Sequence, residues 1–316
     1  MSSESYTTTE STHTVSSPDP STLYTKTWKP ITTSPPTALL VFIHGYSDHC
    51  NAYGILFPHL ASRGIEVRAI DQRGWGRSVR KPTDKGDSGG TDRVLGDITS
   101  FLREVIADNN REHKDVPIFL MGHSMGGAEV LHYAASGPED VKRHIRGYLA
   151  EAPLVALHPA TRPWGTTVVL GRVAAKIAPK TQKVNKLDEK LLSRDPEVQR
   201  AFVDDELCHD TGTLEQLAGM LDRGLALERG NVRIPRDVRS VWISHGTDDG
   251  VCEFKAAKDM FERMEVEDKE FKAYQGWYHK LHAEPGEDKT IFADDVADWI
   301  LARCDQPSSM QAKSKL

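Results

Sequence analysis

Gly122-His123-Ser124-Met125-Gly126-Gly127 is the stretch on which the reading of this chain turns. Val116-Pro117-Ile118-Phe119-Leu120-Met121 precedes it, an apolar run of strand length. Ala128-Glu129-Val130-Leu131-His132-Tyr133-Ala134-Ala135 follows, helix-forming and apolar at positions 128, 131 and 135. A G-x-S-x-G pattern between strand and helix predicts a sharp turn that lifts the serine hydroxyl above the sheet edge, beside the backbone N–H groups of a helix N-terminus. The flanking glycines have a steric reason, because a Cβ two residues to either side would collide with the neighbouring strand or helix. Ser124 is the candidate nucleophile.

Outward from this turn the chain alternates strands and helices. Residues 1–20, polar and rich in Ser and Thr, read as a disordered tail, and Ser21 to Lys29 as a first strand. Ala38-Leu39-Leu40-Val41-Phe42-Ile43 is continuously apolar, as a strand buried on both faces must be. It delivers the chain to His44-Gly45-Tyr46-Ser47-Asp48-His49. Tyr53, Leu56, Phe57 and Leu60 mark a helix closed by Gly64, and Ile65 to Ile70 the next strand. Val94, Leu95, Ile98, Phe101, Leu102, Val105 and Ile106 keep the helical period. Ile145 to Ala152 is another strand. From residue 157 to 231 the alternation stops, leaving helical stretches without a convincing strand, and it resumes through Val238 to Ser244, Phe254 to Met264, Lys269 to Tyr274 and Thr290 to Arg303. Repeated β-α units predict an α/β fold, a mostly parallel sheet with helices on both faces. The core is residues 21–156 and 232–304, with 157–231 inserted as a helical cap and 305–316 a flexible tail.

A serine needs a base, and the base an orienting carboxylate. In open α/β sheets such groups gather at the C-terminal ends of the strands. Two strand ends after Ser124 supply them: His245-Gly246-Thr247-Asp248-Asp249 and Gln275-Gly276-Trp277-Tyr278-His279. The order Ser, Asp, His is the one this elbow requires. Asp248 and Asp249 are adjacent, and His282 lies three residues beyond His279, so residue order alone leaves both choices open. The oxyanion donors expected are the backbone N–H groups of Met125, after the nucleophile, and Tyr46, in the loop after the early apolar strand.

At 316 residues the chain is long enough for one substantial core. Its formal charge of −6 gives no reason to expect nucleic acid as a partner. No apolar run approaches the ~20 residues a membrane span needs, and the N-terminus lacks the apolar segment of a secretory signal. Cys50, Cys208, Cys252 and Cys304 are scattered without metal-ligand spacing, so free thiols in a reducing compartment are expected and no metal.

Five segments in order carry a resemblance: His44 to His49, Asp71-Gln72-Arg73-Gly74-Trp75-Gly76-Arg77-Ser78, Gly122 to Gly127, His245 to Asp249, and Tyr278-His279-Lys280-Leu281-His282-Ala283-Glu284. Together they resemble the monoacylglycerol lipase branch of the α/β-hydrolases, from roughly Leu23 to Arg303. The serine motif alone is generic; the closing Tyr-His-x-Leu-His-x-Glu is specific. The resemblance implies Asp249 as the acid, three residues after the glycine of its motif, and His279 as the base. Cys252, three residues beyond the acid, matches a cysteine that family members carry, and it and His44 are expected beside the pocket. The resemblance also implies hydrolysis of a small lipid ester, monoacylglycerol, to fatty acid and glycerol through an acyl-enzyme on Ser124, with no cofactor. Tyr46 stands where a small residue is often found; only its backbone is needed for the oxyanion role. A lysophospholipase or general carboxylesterase is the alternative, and a non-catalytic binding protein is disfavoured by the retained Ser124, Asp249 and His279. An aspartate-nucleophile hydrolase is excluded by Ser124.

In the cap, Pro163 to Ala178 carries apolar residues at 164, 168, 171 and 175, with 170, 174 and 177 nearby. Arg162, Arg172, Lys176, Lys180, Lys183 and Lys186 surround them. An apolar face edged with cations suits peripheral contact with a membrane or lipid surface, the alternative being a helix packed on the sheet. The sequence ends Ser314-Lys315-Leu316, the signal read by the peroxisomal import receptor, so a peroxisomal location is expected; cytoplasm, lipid droplet or endomembrane surface is the alternative.

Overall fold

The computed structural model describes residues 5–16, 18–32, 34–113 and 116–304. In chain order its strands are β1 (Tyr6–Val15), β2 (Ser21–Pro30), β3 (Ala38–Ile43), β4 (Ile65–Ile70), β5 (Ile118–His123), β6 (Ile145–Glu151), β7 (Gln182–Val184), β8 (Thr211–Thr213), β9 (Val241–Gly246) and β10 (Lys269–Tyr274). The helices are α1 (Leu56–Ser62), α2 (Thr91–Glu112), α3 (Met125–Ser136), α4 (Glu139–Lys142), α5 (Gly165–Ile177), α6 (Pro196–Asp204), α7 (Leu214–Glu228), α8 (Phe254–Glu262) and α9 (Asp288–Leu301). Eight strands form one sheet in the order β1-β2-β4-β3-β5-β6-β9-β10, parallel from β4 onward, with β1 and β2 antiparallel at one edge. Strands β3, β5, β6 and β9 are buried along their whole length, as the unbroken apolar run of β3 requires.

Helices cover both faces. Val94, Ile98 and Leu102 of α2, Val130 and Leu131 of α3, and Ala257 and Met260 of α8 share one core layer. Leu56 and Phe57 of α1 pack with Phe292, Val296 and Trp299 of α9 in the other. The register lines up the strand ends: Ile43 pairs with Gly122, His123 with Glu151, Glu151 with Ser244, and Gly246 with Tyr274. The loops that follow these positions therefore meet along one edge, the expected place for a site in such a sheet.

Two sequence expectations are corrected. The N-terminal segment is not a disordered tail: residues 6–15 form β1, paired residue for residue with β2. Its run of β-branched threonines favours a strand, and as an edge strand it buries only His13 and Val15, so no apolar alternation betrays it. Within the cap, β7 and β8 make a short antiparallel pair where only helices were expected. The cap otherwise consists of α5, α6 and α7. It is joined to α3, the helix that follows Ser124, by a buried ion pair, Arg223 Nη2 on α7 donating to Glu129 Oε1 at 2.9 Å. The tail 305–316, with Ser314-Lys315-Leu316, lies outside the described residues.

Candidate active site

Ser124 sits between β5 and α3 with φ of 54° and ψ of −115°, a backbone conformation that ordinary residues seldom adopt. Its neighbours must be glycine: a Cβ on Gly122 would lie 2.3 Å from the Gly126 carbonyl oxygen, and one on Gly126 would lie 2.2 Å from that of Ile43. Two further bonds clamp the turn, Ser124 N–H to the Glu151 carbonyl and Leu154 N–H to the Ser124 carbonyl, each 2.9 Å. The strain is thus held by strands on either side.

The side chains chosen from sequence come together. Ser124 Oγ is 2.9 Å from His279 Nε2, and His279 Nδ1 is 2.8 Å from Asp249 Oδ2. The carboxylate leaves only one consistent tautomer: Nδ1–H donates to Asp249, and Nε2 accepts from the serine hydroxyl. Asp249 Oδ1 accepts from the backbone N–H groups of Val251 (2.8 Å) and Cys252 (2.9 Å). Burial alone would raise the Asp249 pKa, but His279, His245 and the Cys252 N–H hold it below the ordinary carboxylate value. The two open choices are resolved by geometry. Asp248 is exposed and accepts from Thr247 Oγ1, whereas Asp249 is buried and aimed at the imidazole. His282 is buried elsewhere, its Nδ1–H donating to Glu151 Oε1 at 2.7 Å and its ring against Tyr53.

Met125 opens α3, so its N–H has no partner within the helix. Among the described residues neither it nor the Tyr46 N–H donates to a protein acceptor, and both residues flank the serine turn. The Tyr46 side chain does more than the sequence suggested. Its hydroxyl donates to the carbonyls of Asp210 (2.8 Å) and Asn185 (3.2 Å), tying the loop after β3 to the cap. His44 and Cys252 stand behind the site rather than in the cavity wall. His44 is fully buried, its Nδ1–H donating to the Gly45 carbonyl at 2.7 Å and its Nε2 accepting the Gln72 N–H at 2.9 Å, so it shapes the loop before Tyr46. The Cys252 thiol is fully buried, and burial with the Asp249 charge pushes its pKa well up, which makes it a poor nucleophile.

Ser124 and His279 open into a cavity of about 320 Å³. Leu154, Leu157, Leu214, Leu217, Met220 and Val251 line it, most of them from the cap or the strand ends beneath. Asp48 and Lys280 form a charged part of the same wall, which sequence reading missed because the partners lie far apart in the chain. Glu151, the anchor of His282, was missed for the same reason. Among the described residues, three groups bring potential metal ligands within 4.8 Å of one another: His49 with Asp205 and Cys208, His123 with Glu151 and His282, and Asp249 with Cys252 and His279. In each a carboxylate already accepts a hydrogen bond from a histidine of the group.

Residues 34–286 match the family described as serine aminopeptidase, S33. A Schizosaccharomyces pombe protein is 34% identical over 88% of this chain and 71% of its own. The monoglyceride lipase of Saccharomyces cerevisiae is 30% identical over 87% of this chain and 86% of its own length. That of Rattus norvegicus is 30% identical over 89% and 87%. Among solved structures, a soluble variant of the S. cerevisiae monoglyceride lipase in complex with a substrate analog superposes with a TM-score of 0.83, at 25% identity, covering 92% of this chain and 95% of that one. A Ser-His-Asp relay under a cap, on a mostly parallel sheet, is thus accompanied by similarity over most of the chain: the protein belongs to the serine aminopeptidase, S33 family of α/β-hydrolases.

Proposed function

We propose that the protein is a carboxylic ester hydrolase acting on monoacylglycerol, with Ser124, His279 and Asp249 as its triad. One observation carries the reading: the Ser124–His279–Asp249 hydrogen-bond chain opens directly into an apolar, cap-covered cavity. Similarity to monoglyceride lipases supports the substrate class. Ser124 Oγ attacks the ester carbonyl carbon while His279 Nε2 takes the hydroxyl proton. Asp249 holds the imidazole and offsets the charge it acquires. The oxyanion is met by the N–H groups of Met125 and Tyr46, each such donor being worth about 3 kcal/mol of transition-state stabilisation. Collapse of the tetrahedral intermediate breaks the ester C–O bond, and the glycerol oxygen takes the proton from His279. Water then repeats the sequence on the acyl-serine and releases the fatty acid.

The family's description includes aminopeptidases, which hold a substrate ammonium with a free carboxylate. Of the carboxylates in this cavity wall, Asp48 is paired with Lys280, and Asp188 is exposed with its Oδ1 accepting the Lys190 N–H, so neither is a buried, free carboxylate of the kind that reading needs. A panel of monoacylglycerols of several chain lengths, diacylglycerol, lysophosphatidylcholine, short p-nitrophenyl esters and an aminoacyl-p-nitroanilide tests the assignment. Monoacylglycerol is expected to give the highest kcat/KM; faster turnover of lysophosphatidylcholine or the anilide would refute it.

The cap supports contact with a lipid surface. No residue of α5 is buried, and Trp164, Val169, Leu170, Val173 and Ile177 face outward as an exposed apolar patch. A helix packed on the sheet would have hidden these side chains. The cationic rim is weaker than its composition suggests, because Arg162, Arg172 and Lys180 are paired with Glu253, Asp222 and Asp87. Apolar insertion rather than charge therefore provides the attraction. Burying an apolar side chain fully is worth about 1.5–3 kcal/mol. The double variant Trp164→Ser/Ile177→Ser is accordingly expected to bind phosphatidylcholine vesicles at least about tenfold more weakly, with turnover of a short soluble ester retained. Unchanged vesicle sedimentation would remove α5 from this role. Among the described residues no helix is long and apolar enough to cross a membrane.

A further inference from the structure

We propose that Lys280, braced by Asp48 in the cavity wall, is the hydrogen-bond donor that recognises a hydroxyl-bearing, uncharged head group, making the site selective for acyl esters of a polyol over acyl esters of simple alcohols. The inference rests on the ester-hydrolase reading above and deepens it.

Lys280 follows the base His279 directly and shares with Asp48 and Ser124 the wall of one cavity. Its backbone N–H donates to the Leu192 carbonyl at 2.7 Å, which fixes the residue against the segment leading into α6. Its side chain is almost wholly buried, with Nζ 3.1 Å from Asp48 Oδ2. Asp48 has little accepting capacity left: Oδ1 takes the His49 N–H at 2.9 Å, and Oδ2 takes the Tyr53 hydroxyl at 3.2 Å as well as the ammonium. An ammonium carries three N–H donors. Among the described residues Nζ also lies over the ring of Phe202, 5.3 Å from its centroid, a cation–π contact that uses no lone pair. Donor capacity therefore faces a cavity in which Leu154, Leu192, Leu217 and Met220 supply apolar wall and Arg172, Lys183, Lys186 and Asp188 supply further charged side chains.

Such a pair is a poor choice for stability alone. Taking two charges out of water costs enough that well-packed apolar residues often serve as well or better. Both groups are nevertheless ionised. Burial opposes the charge on Lys280, but the Asp48 carboxylate raises its pKa above the ordinary value. Burial likewise opposes the Asp48 charge, and Lys280, His49 and His44 bring its pKa below the usual one. The charges of this pair cancel at a distance, while a hydroxyl within reach of Nζ still gains a charge-assisted hydrogen bond. An ester that brings no hydroxyl leaves a desolvated donor unpaired, and sites built around such a donor discriminate strongly against that analogue.

The test measures kcat/KM of the full-length protein for 1-monooleoylglycerol and for ethyl oleate in the same detergent micelles, for wild type, Lys280→Met, Lys280→Arg and the charge-free double variant Asp48→Leu/Lys280→Met. The expected result is a wild-type preference for the glycerol ester. The ratio of the two kcat/KM values should fall about tenfold or more in Lys280→Met and in the double variant, mainly through KM for the glycerol ester, and largely recover in Lys280→Arg. The double variant leaves no unpaired charge, so a loss of folding in Lys280→Met alone leaves the result readable. An unchanged ratio, or equal losses on both esters, overturns the inference and leaves the hydrolase reading intact. Faster wild-type turnover of 1-oleoyl-lysophosphatidic acid than of monooleoylglycerol overturns it in favour of anion recognition. A wild-type protein that hydrolyses none of these esters overturns the hydrolase reading and the inference with it.

Discussion

Ser124→Ala is expected to lower kcat on monoacylglycerol by about 10⁶-fold, the loss seen when the nucleophile of a serine triad is removed, or about 8 kcal/mol of barrier. The size of the effect follows from the geometry. Among the described residues Ser124 Oγ is the atom placed both 2.9 Å from His279 Nε2 and at the mouth of the apolar cavity. With it gone, His279 has only water to activate, and water has no fixed position between base and oxyanion donors. The remaining rate comes from binding and from the Met125 and Tyr46 N–H groups. Labelling by a fluorophosphonate probe should vanish, because that reagent reports the same hydroxyl. The fold should survive, since alanine loses a single oxygen and the backbone clamps on the turn, Ser124 N–H to Glu151 and Leu154 N–H to Ser124, do not involve the side chain. A thermal melt alongside the kinetics separates loss of chemistry from loss of fold. A variant retaining a tenth of the activity would show that another nucleophile does the work.

How far the site could be read in advance depends on how local its determinants are. Strands β3 and β5 and the glycines around Ser124 are local: an unbroken apolar run marks a strand covered on both faces, and Gly122 and Gly126 stand where a Cβ would meet backbone oxygen. The pairing of Ser124, His279 and Asp249 was legible because parallel strands in register bring successive loops to one edge. β1 was not legible, because an edge strand that buries only His13 and Val15 has the composition of a tail. The stripe on α5 showed that the helix is amphipathic. Periodicity does not say which medium an apolar face meets: Val168 and Gly171 of that stripe line the cavity, whereas Trp164, Leu170 and Ile177 face outward. The Asp48–Lys280 pair joins two distant loops, each unremarkable in sequence, so only the fold makes it a pair.

Asp249→Asn is expected to lower kcat by about 10⁴-fold, the loss that follows when a triad aspartate becomes an amide and the histidine takes the wrong tautomer. Asp248→Asn should leave kcat within about twofold, as exposed substitutions usually do. The two residues differ in surroundings, not in chemistry. Asp249 Oδ1 receives the N–H groups of Val251 and Cys252, and Oδ2 receives His279 Nδ1–H. An asparagine at 249 has one oxygen to offer, and the two backbone donors hold it on their side. Its NH₂ group is then turned toward His279, where it can only donate. The imidazole must move its proton to Nε2 to accept that bond, and Nε2–H no longer takes the proton from Ser124. The negative charge that would offset a protonated His279 is lost as well. Asp248 touches neither the imidazole nor the cavity; its carboxylate accepts from Thr247 on the surface. Single-turnover acylation by a p-nitrophenyl ester measures the difference at the step where the base acts, and a melting curve for each variant controls for folding. If Asp248→Asn proved the more damaging of the two, the orienting carboxylate would have to be reassigned.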